Sequence, residues 1–349
     1  MSTSVISAPK PQKPWRPRPS SLVPNYIGVF VILLGVWAAI EWTGLAGKLG
    51  AFASAVALTT VVSAVISGIQ RGKQAAKNSA VASLITSAAI LALFPVVSIL
   101  GTVFVRGIDG IYVGFFTTDM GLASVNDPLN VGGILHAIVG TALMILIATL
   151  VSVPLGVSTA IYLTEIRGPG TRLIRFLVQA MSGVPSIVAG LFIYSALIAG
   201  SGRGFNGLFG AFALAILMLP TVARTAEEVL LLIGEDLREA GLALGATQWR
   251  TVAMVVVPAA KSGLITAVIL GIARIAGETA PLLFTTGGGD TTNLNPVDGV
   301  MGSLPFAIWK ALISGSAESN ARAWASILVL LILVMVLFFS ARRLGKIRR

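Results

Sequence analysis

Apolar runs long enough to cross a bilayer recur along the whole chain, and this limits the possible folds more than any other feature. A membrane-spanning helix needs about 20 predominantly apolar residues. Eight segments qualify, near residues 26–43, 51–69, 79–105, 132–165, 176–200, 205–223, 262–285 and 323–341. Hydrophobic residues make up 55% of the chain and charged residues 11%, whereas soluble domains carry about 25% charged residues. The expected class is an all-α integral membrane protein with about eight transmembrane helices, the lipid bilayer being part of its solvent. The fourth run is longer than one crossing needs, and Pro154 is expected to kink it before it ends near Glu165 in the cytoplasm.

The distribution of charge predicts the orientation. With the N-terminus inside, 19 of the 25 Lys and Arg residues fall in cytoplasmic segments and 5 in outside loops, while Arg274 lies within a span. That bias predicts two cytoplasmic termini and an even number of spans. It also accounts for the net charge of +11 without a nucleic-acid partner. Residues 1–24 carry six prolines with Lys10, Lys13, Arg16 and Arg18, the composition of a disordered basic cytoplasmic tail. The apolar run from Tyr26 lacks a small-residue cleavage site at its end, which argues against a cleaved signal peptide. Residues 25–72 form a predicted transmembrane hairpin, set off by the basic stretch Arg71 to Lys77 from the spans that follow.

Several chemistries are excluded. The chain has no Cys and a single His, His136, so thiolate or histidine-cluster metal sites and Cys nucleophiles are out of reach. His136, at the outer start of the fourth run, is expected to be structural or interfacial, with a pH-sensing role as the alternative. No Gly-x-x-x-x-Gly-Lys-Ser/Thr occurs, so this chain has no such phosphate-cradling loop for a nucleotide.

The longest cytoplasmic loop, 224–261, holds a second signal. Ile233-Gly234-Glu235-Asp236 marks a helix start, with acidic residues suited to a first turn. Leu237, Ala240 and Leu244 recur at helical spacing, Gly245 is placed to end the helix, and a second short helix can begin near Thr247. An ordinary connecting loop is the alternative.

A third signal lies inside the membrane. Arg274 and Glu278 fall within the seventh run, where a charge costs at least about 2.5 kcal/mol. Four residues apart, they share a helix face and can partly neutralise each other. Either they form a structural ion pair, or Arg274 offers its planar donors to an oxyanion. In that second case Glu278 holds Arg274 or accepts a proton from a protonated anion. Arg224, at the cytoplasmic end of the sixth run, is either a topology anchor or the cation of an inner gate. Gly183, Pro185 and Ser186 break the fifth run; irregular backbone at depth is tolerated where it lines a cavity or packs in protein, and its freed amides could meet an anion.

Glu239, Ala240, Gly245 and Pro258 match in register the Glu-Ala-Ala, Gly, Ile-x-Leu-Pro signature of importer-type ABC permeases, with Gly241 in place of the second Ala and Val255 and Val257 in place of Ile and Leu. The stretch Arg274-Ile-Ala-Gly-Glu-Thr-Ala-Pro-Leu-Leu-Phe-Thr285 resembles the PstA-type permeases of phosphate importers, as do Leu219-Pro220 to Arg224-Thr225 and Val184-Pro185 to Phe192. The resemblance covers about residues 79–345. It implies a six-helix type I importer core preceded by an added N-terminal hairpin. It implies Arg224, Arg274 and Glu278 as translocation residues, and Glu239, Ala240 and Gly245 as docking residues for the ATPase. By the same resemblance the partners are a second, PstC-type permease subunit, a dimeric PstB-type ATPase that handles ATP and Mg, and an extracytoplasmic PstS-type phosphate-binding protein. This chain then has no cofactor and catalyses no covalent reaction. Molybdate or sulfate import, or an ion-coupled secondary transporter, are the alternative readings.

Overall fold

The structure is a computed structural model that describes residues 28, 30–32, 34–38 and 48–345. The basic tail 1–24 lies outside the described residues, as does part of the first expected span; the described residues from 28 to 38 are helical. Regular structure among the described residues is helical, apart from one isolated bridge between Gly287 and Met301. The chain divides into two compact units, up to Leu100 and from Gly101.

In the first unit, α1 (Lys48–Arg71) is followed by α2 (Lys73–Asp109), which runs on past the division. Gly72, at φ +86°, makes the turn between them. The Thr60 and Ser83 hydroxyls approach to 3.3 Å across the two helices.

The second unit continues with α3 (Leu135–Ile161), α4 (Thr171–Ser182), α5 (Ser186–Ile193) and α6 (Gly207–Leu231). Beyond them come α7 (Glu235–Ala243), α8 (Gln248–Thr251), α9 (Val257–Ala276), α10 (Ala280–Leu283), α11 (Leu304–Ser314) and α12 (Ala317–Gly345). Wider π-type turns extend α3 through Tyr162–Ile166, extend α5 through Tyr194–Ala199, and lead into α9 through Val252–Val256.

Six helices among the described residues are long and apolar enough to cross a membrane, and a seventh crossing is made if the bent segment α4–α5 counts as one. The expected fifth span, 176–200, is therefore not one rod: Thr171–Ser182 and Ser186–Ala199 meet at 103°. Pro185 supplies no backbone N–H and biases Val184 away from helical geometry, so the ladder cannot run through. α4 is amphipathic. Val178 is buried, Leu173, Phe176 and Leu177 are exposed, and Arg172, Arg175 and Gln179 take a separate face.

The expected seventh span, 262–285, is also corrected. α9 stops at Ala276 with Gly277 as its cap, and a separate short helix begins at Ala280. Pro281 cannot donate to the carbonyl four residues back, which ends the helix upstream of it. The chain then folds across the start of α6. Asn206 N–H donates to Thr285 O at 3.1 Å, and Met301 N–H to Thr286 O at 3.0 Å.

Met144, Ile145, Ala148, Leu214, Leu217, Met218, Val222, Ile275 and Leu282 form the core, drawn from α3, α6, α9 and α10. In lipid, helices associate through close packing of small residues and interhelical hydrogen bonds rather than through exclusion of water. Ser152 of α3 is such a residue, its hydroxyl donating to Ala215 O of α6 at 3.0 Å. His136 is buried in the first turn of α3 and its Nδ1 has no hydrogen-bond partner.

Candidate functional site: an arginine beside Thr221 and an exposed helix pair

Thr221 lies about 21 Å along α6 from Gly207 and about 15 Å from Leu231, at 1.5 Å per residue. The Arg274 guanidinium reaches it across the helix boundary, Nη1 donating to Thr221 Oγ1 at 3.4 Å. Arg224 follows Thr221 by three residues, so the two share a face of α6. The structure thus brings Arg274, Thr221 and Arg224 onto one surface, and both guanidinium-bearing residues are exposed in the single chain.

Glu278 departs from expectation. It follows the Gly277 cap, its N–H donating to Ile275 O at 3.2 Å. The face-sharing geometry needs helix through position 278 and is lost with the early stop, and Arg274 forms no salt bridge with Glu278 or with any other carboxylate among the described residues. Arg224 is paired with Glu228 one turn on, Nε to Oε1 3.4 Å, with both side chains well exposed. Such a pair contributes at most about 1 kcal/mol and leaves the guanidinium accessible.

Gly183, Pro185 and Ser186 sit at the α4–α5 bend, and α5 starts with the amides of Val188 and Ala189 turned back to Pro185 O. α5 packs directly on α10. A Cβ placed at Gly190 would meet Pro281 Cα at 2.7 Å and Pro281 O at 2.9 Å, so the broken span and the interrupted seventh run touch through backbone. Thr221 was missed in the sequence; its signal is the three-residue offset from Arg224.

In the loop between α6 and α9, α7 and α8 form the expected helix pair. α7 begins at Glu235 with two acids in its first turn, and Gly245 turns the chain with φ +80°. The Thr247 hydroxyl caps α8 by accepting from Arg250 N–H at 3.4 Å. Glu239, Ala240 and Pro258 are exposed. Gly241, the departure from the Glu-Ala-Ala pattern, is buried, and a Cβ there would meet Thr251 Cγ2 at 2.7 Å. Leu237, Leu242, Leu244, Trp249 and Met254 are exposed in the same region, with Leu244 at 90%. So much apolar surface on a polar loop marks an interaction surface.

Arg238 holds this pair in place. Its Nε and Nη2 donate to Glu165 Oε2 and Oε1 at 2.9 and 2.8 Å, and it also reaches the carbonyls of Ile233 and Leu230. The hydrogen bonds to Glu165, outweighing the cost of burial, raise the Arg238 pKa above the ordinary arginine value. Sequence reading missed both members, which are 73 residues apart.

In the loop between α2 and α3, Asp119 Oδ2 accepts from Thr292 N–H at 2.9 Å and from the Thr292 hydroxyl at 3.0 Å, and Oδ1 accepts from Gly121 N–H at 3.1 Å. Backbone donation from Thr292, then from Gly121, lowers the Asp119 pKa below 3.8. Arg322 is buried and donates to the carbonyls of Asp127, Pro128 and Val131, which fastens the preceding loop.

Apolar spans, an interrupted seventh run and an exposed helix pair on a polar loop define a multi-pass membrane protein. The chain belongs to the family of binding-protein-dependent transport system inner membrane components, whose family model matches residues 152–348. It is similar to the phosphate transport system permease protein PstA of Mycobacterium leprae, 40% identical over 74% of this chain and 86% of that protein. It is likewise similar to PstA of Pasteurella multocida, 38% identical over 73% and 89%. Among solved structures, a chain of the inward-facing MetNI methionine ABC transporter matches 61% of this chain and 92% of its own, with 21% identity and a TM-score of 0.47.

Proposed function

We propose that this chain is the membrane-spanning permease subunit of an ATP-driven importer that moves inorganic phosphate into the cytoplasm. The observation that carries the site assignment is Arg274, a guanidinium at mid-depth that meets Thr221 and no carboxylate among the described residues. A guanidinium so placed presents planar donors to an oxyanion, and the shared name of the curated relatives supports phosphate as that oxyanion. Arg224, one turn closer to the cytoplasm, receives the anion next. Glu278, half-buried beside the helix end, accepts the proton that phosphate carries and sulfate lacks.

The exposed faces of Arg224 and Arg274 are closed by a second permease subunit, so the pathway runs between the two. Glu239, Ala240, Gly245 and the exposed leucines meet a separate ATPase subunit, and an extracytoplasmic binding protein delivers phosphate from outside. Gly183, Pro185 and Ser186 line the pathway at the bend. Residues 79–345 are the permease domain, 25–72 an added hairpin, and both termini are cytoplasmic, in keeping with the Lys and Arg bias.

The test is phosphate uptake into vesicles by complexes that still co-purify with the ATPase. Arg274→Ala and Glu278→Ala abolish uptake, and excess sulfate does not compete with phosphate in the unaltered complex. Full uptake by both variants, or equal competition by sulfate, overturns the reading.

A further inference from the structure

The cytoplasmic helix pair is tied to the ends of the membrane spans by a few side chains, Arg238 foremost. Arg238 lies in α7, Glu165 in the wide turn that closes α3, Leu230 in the last turn of α6 and Ile233 just past its cap. A single guanidinium forks onto the Glu165 carboxylate and also donates to the Leu230 and Ile233 carbonyls, at 3.0 and 2.6 Å; the Leu230 carbonyl additionally accepts from Ile233 N–H. The side chains are 13% and 5% exposed, so water screens the pair little. Gln248 of α8 donates to the Glu165 carbonyl, adding a second tie to the same residue. Arg167, which follows the wide turn, has φ +51°, a conformation uncommon for a residue other than glycine. The backbone is thus turned sharply just beyond the point where Glu165 meets Arg238.

We propose that Arg238 and Glu165 are positioning residues that clamp the cytoplasmic helix pair to the inner ends of α3 and α6. Movement imposed on α7 and α8 by an ATPase then passes into those two spans without slack. This inference rests on the transport reading above. α6 carries Thr221 and Arg224, so the clamp joins the helix pair to the helix that presents the proposed anion site. Neither residue belongs to the proposed anion site. Their contribution is rigidity between one element that is pushed and two that must move.

The test uses Arg238→Gln, which can still donate to a carbonyl but cannot fork onto the carboxylate, with Glu165→Gln as the second variant and Arg238→Lys as the conservative one. Each is assembled with its partner subunits. Hydrogen exchange across residues 235–251 and the ratio of ATP hydrolysed to phosphate imported are measured. Both Gln variants are expected to speed exchange in that segment by at least about tenfold and to raise the ratio by at least about fivefold; Arg238→Lys recovers part of both. Unaltered exchange in the Gln variants overturns the clamp whatever the cargo proves to be. Faster exchange with hydrolysis and uptake falling in parallel overturns its coupling role, as does failure of both Gln variants to assemble. Absence of phosphate uptake by the unaltered complex sinks the cargo reading instead, and exchange still decides the clamp.

Discussion

Arg274 Nη1 lies 3.4 Å from Thr221 Oγ1, a link between α9 and α6 in which the cation faces a hydroxyl and not the nearby Glu278. This bond is long, and a hydroxyl does not neutralise a guanidinium. The charge is left available in a way that an ion pair would have quenched. Transport of an oxyanion asks for this balance: attraction strong enough to admit the anion, with no resident carboxylate to be displaced.

Replacing Arg274 with Lys keeps the charge and removes the planar fork. Uptake is expected to fall about tenfold or more, since a charge-assisted hydrogen bond contributes about 1.5–3 kcal/mol. Thr221→Val should cost less, under about tenfold, because it removes one long neutral partner. Initial rates of radiolabelled phosphate uptake check both.

Close backbone approach at Gly190 gives a stability prediction. Gly190→Ala forces a methyl against Pro281 Cα and O, at 2.7 and 2.9 Å. A destabilisation of about 1–3 kcal/mol is expected, the usual cost of overpacking. Gly277→Ala, whose Cβ would meet nothing within 4 Å, is the control and should leave the melting temperature of the purified protein nearly unaltered.

Gly245→Ala tests the turn after α7. At φ +80° a side chain costs about 1–2 kcal/mol through backbone strain even though the space around it is open. The expected result is a frayed end of α7 and weaker retention of the ATPase on purification, measured as subunit ratio.

Asp119 predicts an acid limit for the loop it anchors. Its folded pKa lies below the ordinary 3.8 because Thr292 and Gly121 donate to the carboxylate. The stabilisation is therefore fully present above 3.8 and is lost as pH falls through the lower, folded value. Thermal unfolding across that acid window should show a step in the native chain that Asp119→Asn flattens, with the variant already less stable at neutral pH.

Much of the fold was legible in the sequence because hydropathy is a local property. Most of the expected apolar runs correspond to helices, and the α7–α8 pair starts and turns where Gly234, Gly245 and Thr247 indicate. Gly183 and Pro185 gave notice of a break, but not of a 103° bend, because a proline states that the ladder stops and not where the chain goes next. Arg274 and Glu278 misled for a related reason. Four-residue spacing implies a shared face only if the helix persists, and the decisive interruption is set by Gly277 and Pro281 between and beyond them. The partner of Arg238 was invisible because Glu165 belongs to another span.

By itself the sequence determined immersion in the bilayer, the apolar segments and the class of loop that joins them, since length, composition and turn residues act over a few neighbours. Only the tertiary structure decided which charges meet. The rotation and termination of each helix select partners over the 53 residues that separate Thr221 from Arg274 and the 73 that separate Glu165 from Arg238. Such selection comes from packing between helices, and no local pattern encodes it.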